Sequence, residues 1–444
     1  MYKKLSLLFL LGLALVSQLS AQEKPREFSP YSRFGIGDLS DPQFSTISQL
    51  GGIGAGFSDR NILNSSNPAS LGSLRNAAFE GGVSVKFTSL SDNSSSKNFF
   101  GGGLDYLALG LPYFNSISEA LDRKERRVHI GSLFYLKPYS QVGYDVLQLD
   151  SLDGTGRYQR RYTGSGGTYE FKWANGLEYK NFSFGVGLGY LFGKMAYKRE
   201  LDLLSLSLPY NTVFLNEISM KGFRWNLGAQ YKINLRKLAE GELESSKYLT
   251  FGIYGQGAQS FSTLTDQTYR RELLTSATTG ISDTVKYTRG IEGTGKLPGE
   301  IHLGFYYNDK YRLQFGGQLS LVSWSAYQNS AKPEVLKDAN QLSFGFAYCP
   351  NIESFDNILK RISYRVGLKF GSDPRSYDGT QIKSYSINLG MGIPFIFQRN
   401  VSFANIGVEI GNTGISSKLN AGYVAIKMGF TLNDDTWFLK KKYD

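Results

Sequence analysis

The sequence predicts an all-β protein, a transmembrane antiparallel β-barrel of about fourteen strands. Three observations predict it: an every-second-residue apolar pattern that recurs to the chain end, small or charged residues on the opposite phase, and an N-terminal export signal. Residues 423–432 (YVAIKMGFTL) set the pattern, with Val424, Ile426, Met428, Phe430 and Leu432 alternating with Ala425, Lys427, Gly429 and Thr431. Successive strand side chains point to opposite faces, so this strand has one apolar face and one small or polar face.

At the start of the chain, Lys3 and Lys4 precede a mostly apolar run over 5–16, followed by small and polar residues up to Ala21. This reads as a Sec signal peptide over residues 1–21, cut after Ala21. A run of about twelve apolar residues is short of the ~20 that a spanning helix needs, and no later stretch reaches ~18. No cysteine follows the run, which excludes a lipoprotein anchor. Phe (30), Tyr (29) and Gly (51) are abundant while Pro (12) and Cys (1) are scarce, a mixture that favours strands and tight turns. Cys349 alone makes no internal disulfide. With two histidines, His129 and His302, and no cysteine cluster, neither a metal site nor a cofactor is expected. The net charge of +11 fits contact with anionic lipid and lipopolysaccharide head groups, or cations scattered over solvated loops.

Residues 22–76 show no sustained alternation. SPYSRFGIGDL, LGGIGAGFSD and NSSNPASLGSL are rich in Gly, Ser, Pro and Asn and read as compact irregular structure. About fifty such residues are too many for an ordinary connection, so the segment is disordered or has a purpose. Its scattered Phe34, Ile36, Leu50, Ile53, Phe57, Ile62 and Leu63 favour packing against something. From Ala77 onward, alternating runs fall near 77–90, 98–112, 127–149, 156–180, 182–206, 213–235 and 246–272. Others follow near 283–308, 311–328, 339–349, 361–371, 381–393, 400–411 and 419–432. The apolar phase persists: Phe182, Phe184, Val186, Leu188, Tyr190 and Phe192 alternate with Ser183, Gly185, Gly187 and Gly189.

Charges on the other phase exclude a soluble sandwich. A core face cannot be polar, and a water-exposed face cannot be Phe, Tyr, Val and Leu in strand after strand. Lipid outside and water inside satisfy both faces, and closure leaves no unpaired edge in the hydrocarbon. An even strand number places both barrel ends in the periplasm. Lys180-Asn181 and 308–310 are then short periplasmic turns, and 113–126, 236–245 and 350–360 longer periplasmic connections. The third to eighth runs exceed the ~9–11 residues that cross a bilayer, which predicts a projecting collar on that side. The barrel is expected over 77–432, with 433–444 a periplasmic tail whose Trp437, Phe438 and lysines suit an interfacial anchor.

The leader, the irregular N-terminal segment carrying Asn67-Pro68-Ala69, the strand count and the aromatic chain end together resemble the FadL/TodX family of outer-membrane channels for hydrophobic compounds. More local similarities, in SPYSRFGIGDL, LKPYSQVGY, GSGG, YLFG and DDTWFLKKKYD, are to a divergent branch of FadL-like proteins. The resemblance implies that residues 22–76 form a hatch plugging the lumen, with Asn67, Pro68 and Ala69 as its motif. It also implies a hydrophobic binding region between hatch and wall, and sideways exit of substrate beside a kinked strand. Gly101-Gly102-Gly103, residues 164–167 and Gly316-Gly317 are places where a strand can open, or glycines that merely make room.

The inward phase carries the lumen charges Glu80, Lys86, Arg365, Lys369, Glu409 and Lys427. On a closed barrel the first and last two strands are neighbours, which puts Lys427 between Glu80 and Glu409. The set either grips the hatch or a substrate carboxylate, or neutralises itself in a wet lumen. Residues 290–296 have P-loop spacing, but Leu297 replaces the Ser or Thr that would hold magnesium and no helix follows. His129 and His302 lack a nucleophile elbow, so no enzyme is expected. The aromatics belong to the lipid face, which leaves no nucleic-acid pattern. The expected function is passive uptake of hydrophobic small molecules, of long-chain fatty acid or aromatic type, across the outer membrane. The alternative is a non-transporting barrel acting as scaffold or accessory subunit of an outer-membrane secretion or assembly complex, with other outer-membrane or periplasmic proteins as partners.

Overall fold

The computed structural model describes residues 29–436 apart from 93–95, 116, 118–125, 154–155, 206–209, 237–246, 275–279, 311, 378, 398–399 and 416–418. The predicted signal peptide, residues 22–28 of the predicted hatch and Trp437 and Phe438 of the tail lie outside the described residues. Among the described residues no helix is long and apolar enough to cross a membrane.

A two-residue strand, β1 (Asp38–Leu39), precedes β2 (Ala77–Asp92), β3 (Ser96–Pro112), β4 (Val128–Gln141), β5 (Tyr144–Leu152), β6 (Gly156–Tyr179) and β7 (Phe182–Leu203). Then come β8 (Tyr210–Asn234), β9 (Lys247–Gln256), β10 (Gln259–Leu274), β11 (Gly280–Leu297), β12 (Glu300–Asp309) and β13 (Leu313–Val322). The chain ends with β14 (Gln328–Asn329), β15 (Ala339–Tyr348), β16 (Ser363–Tyr377), β17 (Thr380–Phe397), β18 (Asn400–Ile415) and β19 (Leu419–Asp434). Fourteen of these close a ring in the order β2-β3-β4-β6-β7-β8-β9-β12-β13-β15-β16-β17-β18-β19, every pair antiparallel. β19 returns to β2 with Asp434 opposite Ala77, so both ends of the ring lie together at what we call the terminal end. The barrel is the predicted one.

The strands split where the backbone forces them to. The single runs expected over 246–272 and 283–308 each break in two, at Gly257-Ala258 and at Pro298-Gly299. The breaks are level with one another, since Gln256 pairs with Glu300 and Gln259 with Leu297. Pro298 has no N–H to give to the ladder, and the flanking glycines bend freely. The run over 127–149 likewise breaks between β4 and β5, and 311–328 between β13 and β14. Beyond these breaks β10 and β11 continue away from the terminal end. With β6, β7 and β8, which are 24, 22 and 25 residues long, they form the expected collar.

The apolar phase faces out. Phe182, Phe184, Val186, Leu188, Tyr190 and Phe192 are each 38–56% exposed. A continuous face of that kind belongs in hydrocarbon and not in water. The opposite phase is buried against the N-terminal segment. Residues 29–76 form a turn of 3-10 helix at Pro30–Arg33, a short helix Ser45–Gln49 and a second 3-10 turn Pro68–Ser73. Their backbone lies flat on inward glycines of the wall. A Cβ at Gly131, Gly176, Gly185, Gly252, Gly345 or Gly367 would overlap the main chain of this segment. Contact with inward positions on opposite sides of the ring is possible only from within it. Two apolar clusters fix it there, one of Phe44, Leu63, Leu71 and Leu74 against Leu133 and Tyr135, the other of Ile47, Leu50, Ile53 and Phe57 against Tyr306. At the far end Ile36 joins Met195, Ile218, Met220, Phe261, Trp324 and Leu336 in a third cluster inside the collar.

One seam is incomplete. β3 and β4 pair only over Leu107–Pro112 and 131–136. Beyond that point β4 turns its free edge to β1, with Asp38 opposite Gln141 and Leu39 opposite Ser140. Among the described residues the strand ladder of β3 from Ser96 to Tyr106 is to β2.

Candidate functional site

Between the N-terminal segment and the far-end cluster lies a chamber of about 510 Å³. Its wall is built by ladder register. Lys427 on β19 sits opposite Gly407 on β18 and Ser84 on β2, two small neighbours that leave its long side chain free to cross the lumen. There its Nζ lies 2.8 Å from Asp41 Oδ2 and 2.7 Å from Glu409 Oε2. Lys369 on β16 reaches the same Asp41 oxygen at 3.1 Å. Ser48 Oγ donates to that oxygen at 2.7 Å, and Lys427 Nζ donates to Ser48 Oγ at 2.9 Å. Asp41 belongs to the N-terminal segment and not to a spanning strand. Burial pushes its carboxyl up, but Lys369 and Lys427 outweigh that and hold it well below the usual carboxylate range.

Five of the six predicted lumen charges are placed by these and neighbouring contacts, but not in the predicted arrangement. Lys427 does not lie between Glu80 and Glu409. Glu80 is opposite Thr431, four residues along β19 from Lys427, so of these two wall carboxylates Glu409 is the one that reaches the ammonium. Glu80 is wholly buried and accepts instead from Tyr106 Oη at 2.7 Å and Ser45 Oγ at 3.2 Å. Arg365 donates to Gln49 Oε1 at 2.9 Å and to Asn405 Oδ1 at 2.7 Å. The sixth, Lys86, lies over the ring of Tyr423, 4.5 Å from its centroid. Asp41 itself escaped the sequence reading. Its signal was present in the count: the inward set holds four cations and two carboxylates, so a counter-charge had to come from elsewhere.

A second cluster faces the chamber from the other side. Arg224 Nη1 lies 3.0 Å from Glu170 Oε1, and its Nη2 3.9 Å from Glu300 Oε1. Tyr135 Oη donates to Glu170 at 3.0 Å, and Lys137 Nζ to the carbonyl of Pro42 at 2.8 Å. His302 stacks on Tyr254 with ring centroids 4.3 Å apart, and its Nε2 is 3.7 Å from Glu300. Two more ion pairs anchor the segment, Asp38 to Arg375 and, at 2.9 Å, Arg75 to Glu178.

Asn67, Pro68 and Ala69 open the second 3-10 turn. Asn67 Oδ1 accepts from Ala69 N at 3.0 Å, and its Nδ2 donates to Ala55 O at 2.7 Å. The side chain is fully buried against Gly228, where a Cβ would collide with it. Residues 290–296 lie within β11. His129 is on β4, opposite Glu178, and His302 on β12. Among the described residues no group of three or more His, Cys, Asp or Glu side chains is gathered as a metal site.

The chamber is therefore charged. An apolar guest lying against these groups would strip water from them at a cost of roughly 1–3 kcal/mol per uncompensated polar group, and its apolar contacts would be confined to parts of the lining such as Ile36, Val322, Trp324 and Leu336. The apolar concavity lies on the outside instead, where Phe184, Phe251, Ile253, Phe305 and Phe344 line a lipid-facing groove.

A family model described as BamG matches residues 1–444. No curated protein matches the sequence. Among solved structures the chain is similar to a TodX deltaS2S3 mutant monoaromatic hydrocarbon channel, with TM-score 0.52 and 12% identity over 88% of this chain and 99% of that one. It is similar also to the TodX deltaS2 mutant, at TM-score 0.51 and 13% identity over 89% and 99%. For the Pseudomonas putida toluene transporter TodX the values are 0.49 and 13%, over 90% and 99%. At such identities the likeness of the first two is one of fold: a closed antiparallel barrel of the outer-membrane channel type.

Proposed function

The chain belongs to the BamG family, and from the way its bore is filled we propose that it is a plugged outer-membrane barrel working as a non-transporting scaffold or accessory subunit of an outer-membrane secretion or assembly complex. The observation that carries this is the fit of residues 29–76 to the wall. The plug meets inward glycines at main-chain distance on β4, β6, β7, β9, β15 and β16. It is also tied by ion pairs to β6, β16 and β19. A plug seated on a barrel through backbone contacts does not slide by small steps, because close packing is not continuously deformable. The charged chamber above it is poorly suited to a hydrophobic guest. The collar and the periplasmic connections then serve as surfaces for other proteins. The test is gentle purification from native membranes: stoichiometric co-purifying outer-membrane or periplasmic proteins support the scaffold, and a monomer carrying bound fatty acid or hydrocarbon contradicts it.

A second reading, passive uptake of hydrophobic molecules, is favoured by the short β3–β4 ladder, which stops at Leu107 opposite Leu136 beside the chamber-lining Tyr106 and Lys137. Its test is uptake of a long-chain fatty acid or toluene by cells with and without the protein, and with Lys427→Met. Uptake that falls when the chain is deleted supports transport. Uptake that is equal in all three strains removes it. Neither reading involves chemistry on a substrate.

A further inference from the structure

The outer surface of the barrel changes character at one level. On β7 the outward phase runs through Tyr190 and Phe192 to Lys194, and on β8 it runs through Trp225 and Phe223 to Lys221. Phe192 is opposite Lys221, so the two strands leave the apolar phase together. Past this level Lys194 Nζ lies 2.7 Å from Glu217 Oε1 on the outer face. Exposed aromatics that give way to lysines mark the place where hydrocarbon ends and head groups begin. This border is on the side away from the terminal end, which the even strand number assigns to the outer leaflet.

The wall carries a hollow of about 470 Å³ at this border. Phe261, between Ser260 and Ser262 on β10, is buried in the collar cluster, so the two serines face outwards. Lys221, Ser262 and Thr294 form one row across β8, β10 and β11. Ser260, Lys296 and Gln328 form the next row across β10, β11 and β14. The serines are short, and they leave a gap with a lysine on either side of it. Among the described residues that line the gap there is no carboxylate. Glu292, the next outward residue of β11, stands a row further on, opposite Leu264. Among the described residues no ion pair engages Lys221 or Lys296, whereas Lys194 is taken by Glu217.

We propose that this hollow binds the phosphate-bearing head group of an outer-leaflet glycolipid. The two ammonium groups meet the phosphate charge, and the Ser260, Ser262 and Thr294 hydroxyls with the Gln328 amide hydrogen-bond phosphate and sugar oxygens. Phe223 lines the same hollow and is 61% exposed on the apolar side of the border, where the first carbons of an acyl chain lie. That continuity with the lipid face favours a phosphate carried on a lipid over one free in water. The site is on the outside of the wall, so it holds whichever way the bore is used.

The experiment is native mass spectrometry of the full-length protein in detergent, titrated with diphosphorylated lipid A, with the same lipid after dephosphorylation, and with phosphatidylglycerol. The native chain is compared with Lys221→Gln/Lys296→Gln and with Lys180→Gln/Lys310→Gln, which removes as much charge from exposed lysines at the terminal end. Each double variant is first checked for the heat-modifiable migration of a closed barrel. The expected result is a lipid A adduct on the native chain and on the terminal-end variant, weakened roughly tenfold or more in Lys221→Gln/Lys296→Gln. The dephosphorylated lipid is expected to bind the native chain no better than lipid A binds that variant. Equal lipid A binding by all three proteins overturns the site, and so does an equal loss in the two double variants. Retention of the dephosphorylated lipid as tightly as lipid A reduces the adduct to apolar adsorption and overturns it too. Phosphatidylglycerol held as tightly as lipid A, through the same lysines, overturns the glycolipid as occupant.

Discussion

Asp41 is one carboxylate between two ammonium groups, and it ties the plug to two wall strands at once. Asp41→Asn leaves Lys369 and Lys427 competing for Glu409 in a buried lumen. Removing one partner of a buried ion pair costs about 3–5 kcal/mol, which is expected to loosen the plug without opening the ring. Limited proteolysis of residues 29–76, compared with heat-modifiable migration of the barrel, checks this: the plug becomes cleavable and the barrel still migrates as folded. The pH dependence follows from the sign of the shift. Asp41 is held below the ordinary carboxylate value when folded, so its contribution is fully present above about pH 4 and is lost as pH falls through the lower folded value. Protection of the plug against an acid-active protease is therefore expected to drop only below about pH 4. In Asp41→Asn this acid step is expected to be missing. The sequence made the wall charges legible, because strand phase assigns them to one face. It hid their partner, because Asp41 lies in a segment with no period to place it.

At the scale of elements, alternation was enough to locate every wall strand, since one lipid face and one lumen face impose the same two-residue period throughout. It could not foresee the breaks. Pro298-Gly299 and Gly257-Ala258 were readable as weak points, but that they stand level with one another is a matter of register, which is fixed by pairing and not by pattern. The glycine lining was visible as Gly185, Gly187 and Gly189 on the inward phase, though not as a seat for a backbone. It yields a prediction: Gly252→Leu drives a side chain into the carbonyl of Ala55. Overpacking costs typically 1–3 kcal/mol and more where backbone must move. Tyr254 and Thr250 keep their own inward places on β9, so barrel migration should persist while proteolytic protection of the plug falls.

At the scale of the whole molecule, the proposed reading is of a bore filled in two places, by residues 29–76 towards the terminal end and by the apolar cluster around Trp324 in the collar, with the chamber between. The collar cluster was not legible in the sequence, because its members come from the N-terminal segment, β5, β7, β8, β10, β11 and the connections beside them, and meet only after the ring has formed. The most direct measurement is the ion conductance of the full-length protein in a planar lipid bilayer. The native chain is expected to give a silent membrane, and Gly252→Leu alone to stay silent, because the collar cluster still fills the bore. Steady current through the native chain would contradict the sealed bore and, with it, the scaffold.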